Sequence, residues 1–216
     1  MKAVILAGGK SNRMGSEIHK SLLEYRGKRI ANHVIDSLNS AEIYDIAFVV
    51  KAGDKGVFER YLPSRISYVD DPVCTGPTDA VYYARDFVAN ETFFIVGMGD
   101  TILRSEDIER LAKRAHFTIT SIRIPESRGL AKVIKDAAGN VVSLDRGYHT
   151  NCYIHSGYSL VNQKFLGVIP RTQTETQGTE KHIETALNQY IQEGGIIQDL
   201  QIDWWKHFTN REDLIG

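Results

Sequence analysis

Short unbroken apolar runs alternate along this chain with segments whose apolar residues recur every three or four positions. Ala3–Ala7, Ile46–Val50, Ile66–Val69 and Thr92–Gly97 are runs of the first kind. They read as strands of a sheet covered on both faces. Residues 30–39 place Ile30, Val34, Ile35 and Leu38 at helical spacing. Residues 57–62, 78–88, 105–115 and 181–193 read as further helices, and Ser105 before Glu106-Asp107 reads as an N-cap. The second half turns to strands, at 117–123, 131–135, 141–144 and 152–160, with a turn at Ala137-Ala138-Gly139-Asn140. Residues 170–178 are polar and read as a loop. The alternation predicts an α/β layer fold in one domain, without repeats or linkers.

Composition narrows the function classes. The chain has 216 residues with 42% apolar and 25% charged, and a formal net charge of -1. That balance supplies no bulk field toward nucleic acid or anionic membrane. No apolar stretch approaches a membrane span, and no signal segment precedes the first strand. Cys74 and Cys152 offer no metal spacing and read as free thiols of a cytoplasmic protein.

The candidate chemistry begins where the first apolar run ends. Leu6-Ala7 leads into Gly8-Gly9, then Lys10, Ser11, Asn12, Arg13, Met14 and Gly15, with Lys20 close behind. The two glycines permit a sharp turn and leave main-chain N–H groups bare for an anion. Arg13 and Lys20 add fixed positive charge. A P-loop is excluded, because five positions before Gly9-Lys10 stands Val4. The dinucleotide fingerprint is excluded as well, because Gly9 is followed by Lys10-Ser11. A polyphosphate site at the end of the first strand remains. Asp100 ends the most apolar strand, where ligands of open α/β sheets bind, and a carboxylate there suits Mg²⁺.

The segment Leu6–Gly15, with Lys20-Ser21-Leu22-Leu23 and Gly27-Lys28, resembles the signature of the nucleotidyltransferase superfamily. That superfamily holds the sugar-1-phosphate nucleotidyltransferases and the molybdenum-cofactor guanylyltransferases. Gly97-Met98-Gly99-Asp100, Gly129-Leu130-Ala131, Asp145-Arg146, Gly157-Tyr158 and Trp205…Glu212-Asp213 extend the likeness over nearly the whole chain. The resemblance implies a Rossmann-like three-layer α/β sandwich with a mostly parallel central sheet. It implies a nucleotide-binding half, about 1–115, and an acceptor-binding half, about 116–216. The implied reaction joins an NTP to a phosphorylated sugar or sugar-like acceptor and releases pyrophosphate, with Mg²⁺, or Mn²⁺ as the alternative. A homodimer is a possible assembly.

On this reading Arg13 and Lys20 are catalytic and Asp100 holds the metal. Leu6, Ala7, Gly8, Gly9, Ser11, Asn12, Asp71, Gly76 and Asp79 meet the nucleotide. Gly129, Asp145, Arg146, Asn151, Glu180 and His207 meet the acceptor. Asp71 and the Gly76 loop are equally explained by turn chemistry. The chain also departs from the superfamily pattern. His19 stands where a proline usually precedes the lysine, and Asp145-Arg146 where Glu-Lys is usual. His207 takes the place of the second metal aspartate, and imidazole suits Mn²⁺ or Zn²⁺ better than Mg²⁺. His207 therefore reads as a ligand of a softer metal, as a cation on substrate phosphate, or as a surface histidine. Two alternatives stay open: a molybdenum-cofactor guanylyltransferase, and a non-catalytic nucleotide or sugar-phosphate sensor.

Overall fold

The computed structural model describes residues 1–9, 18–172 and 182–215, with side chains at 170–172 excepted. In chain order the elements are β1 (Lys2–Ala7), a 3-10 turn (Lys20–Leu22), β2 (Glu24–Tyr25), β3 (Lys28–Arg29), α1 (Ile30–Ser40), β4 (Asp45–Lys51), α2 (Lys55–Glu59), β5 (Ser67–Asp71) and α3 (Pro77–Tyr83). They continue with β6 (Phe93–Met98), β7 (Thr101–Leu103), α4 (Ser105–Ala112), β8 (Thr118–Lys135), β9 (Asn140–Asn162), α5 (Gln163–Thr172), α6 (Ile183–Gln192), β10 (Ile197–Ile202) and β11 (Trp205–His207). A second 3-10 turn, Arg211–Leu214, follows.

Seven strands form one sheet in the order β10-β8-β9-β6-β1-β4-β5. The pairs β1–β4, β1–β6, β4–β5 and β8–β10 are parallel, whereas β9 runs antiparallel to its neighbours. Alternation along β1 shows why both faces need a cover. Ala3, Ile5 and Ala7 join one buried cluster with Val34, Leu38, Ile108 and Leu111 of α1 and α4. Val4 and Leu6 join the other, with Val81 of α3, Phe165 of α5 and Leu187 of α6. The result is an α/β/α sandwich, as the resemblance implies.

The differences from the sequence reading have local causes. The four expected strands of the second half are two long ones, β8 and β9, which pair through the polar stretch between them. Five register shifts bend this hairpin, so no steady alternation marks it. The helix α5 covers residues 163–169, to which the sequence reading assigns no element, and the first residues of the expected loop, because Gly167 and Pro170 obscure its period. Ser105 is not the cap of α4. Arg104 holds the N-cap position without a side-chain cap bond, and the Ser105 hydroxyl turns to Glu106. Cys74 and Cys152 are both free thiols, half-buried and buried. No described helix is long and apolar enough to cross a membrane.

Candidate active site

The C-terminal ends of β1, β5 and β6 lie at one edge of the sheet, where open α/β folds bind their ligands. Leu6 and Ala7 are buried there. The Leu6 carbonyl accepts the Gly99 N–H at 2.9 Å, tying the end of β1 to the turn after β6. This turn is built on close approach. A Cβ on Gly99 would lie 2.9 Å from Ser21 Oγ and 3.1 Å from the Leu6 carbonyl. Gly97 lies flat against the Tyr158 ring, and the Tyr158 hydroxyl donates to the Thr101 carbonyl at 3.1 Å. Burial pushes the Tyr158 phenol up, so it stays a donor.

The turn presents Asp100, which is 3% exposed and forms an ion pair with Lys20 from the 3-10 turn. Burial by itself disfavours the carboxylate. Together the Lys20 ammonium, His207 and the hydrogen bonds to the carboxylate outweigh burial and hold Asp100 below the ordinary carboxylate range. His19 shapes the approach to Lys20. Its Nδ1 accepts the Ser21 N–H at 3.2 Å, which places the imidazole proton on Nε2. Burial, followed by the adjacent Lys20, lowers His19 to about 4.

His207 reaches the same place from the far end of the chain. The short antiparallel pair β7–β11 sets His207 opposite Thr101. Its Nδ1 lies 2.9 Å from Thr101 Oγ1 and 4.0 Å from Asp100 Oδ1. Burial lowers its pKa against the pull of Asp100, so the ring is mainly neutral near pH 7. A neutral ring beside a carboxylate favours metal or hydrogen-bonding roles over a fixed cation.

On the other side of β1, Gly8 approaches Asp71, whose Oδ2 would lie 3.4 Å from an added Cβ. Asp71 Oδ1 accepts the Val73 and Cys74 N–H groups, so one oxygen holds the turn. Gly76 takes φ 141, a conformation L residues rarely adopt, and Pro77 opens α3 behind it. Asp79 is buried and accepts the Thr75 hydroxyl, pinning the loop from within.

Each expected acceptor residue has its own local setting. Arg146 bonds Glu184 of α6 at 3.2 Å. Asp145, on the opposite face of β9, lies 3.4 Å from His149. Asn151 has φ 49 and takes the Arg123 guanidinium at 2.8 Å. Gly129 has φ +81 and stands in the exposed part of the hairpin. Among the described residues no side-chain hydrogen bond or ion pair links Asp145 or Asn151 to Arg146. Gly9 ends the described part of the loop. Ser11, Asn12, Arg13 and Glu180 lie outside the described residues.

Two residues of this region carry little signal in the sequence. His155 reads as an isolated strand histidine, yet its Nδ1 lies 3.8 Å from Glu184 and its Nε2 3.1 Å from Ser159 Oγ. In the ladder His155 stands opposite Ser121 of β8. Glu184 reads as an ordinary first-turn acid. The available hint is that Glu184 and Asn188 stand one turn apart beside the apolar Ile183, Ala186 and Leu187.

Asp100 fits a divalent cation of the Mg²⁺ type, which takes one or two carboxylates and completes its shell with substrate phosphates. Among the described residues no group of three His, Cys, Asp or Glu side chains could hold a metal. A site of one carboxylate and one imidazole is therefore the whole protein contribution visible there.

A doubly covered α/β sheet carries a glycine turn, a lysine and a buried carboxylate at its ligand edge. Residues 3–161 match the family model of the MobA-like NTP transferase domain, and the chain belongs to that family. Among curated proteins it is similar to the Bifunctional protein GlmU of Clostridioides difficile, 28% identical over 149 residues, 66% of this chain and 32% of that protein. Its match to the Bifunctional protein GlmU of Limosilactobacillus reuteri is 26% identical over 215 residues, 93% of this chain and 47% of that one. The chain thus spans less than half the length of these relatives. Among solved structures, the inositol-1-phosphate CTP transferase from T. maritima has a TM-score of 0.85 at 15% identity, covering 98% of this chain and 90% of that one. A putative glucose-1-phosphate thymidylyltransferase from Bacillus anthracis, in complex with a sucrose, has a TM-score of 0.82 at 18% identity, covering 99% and 92%. Both share the fold.

Proposed function

We propose that the chain transfers a nucleotidyl group from an NTP to a phosphorylated sugar or sugar-like alcohol in the cytoplasm. One domain carries both halves of the task, with nucleotide on the 1–115 side and acceptor on the 116–216 side. An acceptor phosphate oxygen forms a bond to the α-phosphorus, the α–β bridging bond breaks, and pyrophosphate leaves with that bond's electrons. The observation that carries this reading is the Lys20–Asp100 pair at the ligand edge of the sheet. Two anions must be brought together, and a fixed ammonium beside them offsets their repulsion. The Gly8–Gly9 turn supplies main-chain donors for the leaving phosphates, and Arg13 adds charge there. The Gly76 loop, beside Asp71 and Asp79, receives the base. Arg146 receives the acceptor.

Asp100 would hold the cation, with His207 next to it, and the bound cation would neutralise charge on the transferred phosphate and the leaving group. The names of the relatives support this substrate class: one structural neighbour is an inositol-1-phosphate CTP transferase and another a putative glucose-1-phosphate thymidylyltransferase. The direct test measures pyrophosphate release from each NTP with a panel of aldose and inositol 1-phosphates. Turnover with one pair supports the reading. Absence of turnover with every pair, together with unchanged NTP binding in Lys20→Ala, overturns it.

A further inference from the structure

One helix touches both the Gly76 region and β9. The His182 carbonyl, at the entrance of α6, accepts the Thr78 hydroxyl at 2.9 Å, so the helix is tied to the Gly76 loop. Further along, α6 meets β9 at two points. Asn188 Oδ1 accepts the Leu144 N–H and Asn188 Nδ2 donates to the Leu144 carbonyl, both at 2.8 Å. Glu184, four residues earlier, accepts from Arg146, two residues further along the strand. The spacings match: four residues of helix rise about 6 Å and two residues of strand about 6.7 Å. Asn188 fixes the register of helix against strand, and that register sets Glu184 over Arg146.

The pair is lopsided. The Glu184 side chain is 12% exposed and the Arg146 side chain 37%. Burial alone would raise the Glu184 pKa. The His155 hydrogen bond and charge outweigh it, with the helix amide and Arg146 adding, and lower the pKa to about 2. The carboxylate is an anchor that stays charged. Only one of the five guanidinium N–H donors is needed to bond Glu184, and the side chain remains 37% exposed. A buried ion pair is a weak source of stability, and Asn188 already fastens α6 to β9. The charged pair therefore does something the amide clip does not. The same face also carries Ser121, paired across from His155, whose buried hydroxyl has no partner among the described residues.

We propose that Glu184 is a positioning residue of the acceptor pocket, holding the Arg146 guanidinium so that its outward N–H groups grip the phosphate of the acceptor. The forked geometry of the guanidinium suits a phosphate, and a free Arg146 would lose that orientation to its own rotamer freedom. The inference rests on the transferase reading for the identity of its ligand.

The test uses the full chain and inorganic phosphate as the probe, followed through the side-chain Nε–H NMR signal of Arg146, assigned by its loss in Arg146→Lys. In the wild type, phosphate shifts this signal. In Glu184→Gln the phosphate concentration needed rises at least fivefold, while NTP affinity stays unchanged. Glu184→Asp keeps the charge with a shorter reach and shows an intermediate shift, which serves also if the glutamine variant does not fold. A wild-type signal indifferent to phosphate, or an identical response in both variants, overturns the proposal. Failure of sugar-phosphate turnover with the phosphate response intact would instead count against the transferase reading.

Discussion

His207 Nδ1 lies 4.0 Å from Asp100 Oδ1, brought there by the pairing of β11 with β7. The two residues are 107 positions apart, and their meeting gives the site a mixed nitrogen and oxygen character. Such a set favours Mn²⁺ over Mg²⁺ relative to paired carboxylates. Electron paramagnetic resonance of free Mn²⁺ is expected to report binding in the presence of NTP that Mg²⁺ displaces poorly. His207→Asp is expected to raise Mg²⁺ affinity and to lower the Mn²⁺ preference. An unchanged preference would leave His207 a hydrogen-bonding partner of Thr101 alone.

The Lys20–Asp100 pair is the chemical centre of the proposed reaction. Removing a fixed charge aimed at a transferring group commonly lowers turnover by about 10²–10³. Lys20→Ala and Asp100→Asn are each expected to reduce the rate of pyrophosphate release by that order. Asp100→Asn should also lose the metal dependence of NTP binding, whereas Lys20→Ala should keep it. A calorimetric titration of NTP with and without Mn²⁺ separates the two.

His19 makes the region sensitive to acid. Its folded-state pKa is lowered to about 4 from the ordinary 6.5, by burial first and Lys20 second. Between these values the unfolded chain takes up a proton that the folded chain refuses. Stability is therefore full above pH 6.5 and falls as pH drops from 6.5 toward 4, by about 3 kcal/mol at the limit. His19→Asn keeps an acceptor for the Ser21 N–H and cannot titrate. Its urea midpoint should vary less than the wild type's across that window.

Gly99 leaves no room for a side chain, because an added Cβ meets Leu6 main chain as well as Ser21. Gly99→Ala is expected to cost about 1–3 kcal/mol and to displace the Asp100 turn. The thermal midpoint and the pyrophosphate release rate should fall together. Gly129→Ala offers a contrast. No atom lies within 4 Å of its Cβ, so only the strain of its φ of +81 is felt there.

The parts of the site legible in the sequence are those made by neighbours along the chain. The strand-to-glycine step at Ala7-Gly8-Gly9 and the strand end at Gly97–Asp100 are local patterns, and the fold uses both as read. The Gly76-Pro77 entry to α3 is another, since the φ of 141 requires glycine there. The polar hairpin was harder, because Arg128, Asp145 and Tyr148 are solvent-facing and carry no apolar period. The strand β10 hides Asp199 inside an apolar frame. Its carboxylate is acceptable there only because Lys135 reaches it at 2.7 Å.

By itself the sequence determined the layered α/β class, the glycine turn after β1 and the carboxylate that ends the β6 turn, because hydrophobic period and glycine chemistry act over a few residues. Only the tertiary structure decided that His207 returns to Asp100, that Asn151 meets Arg123, and that Glu184 joins both Arg146 and His155. Those contacts join residues tens of positions apart. Their geometry is set by strand pairing and helix packing, which no local pattern encodes.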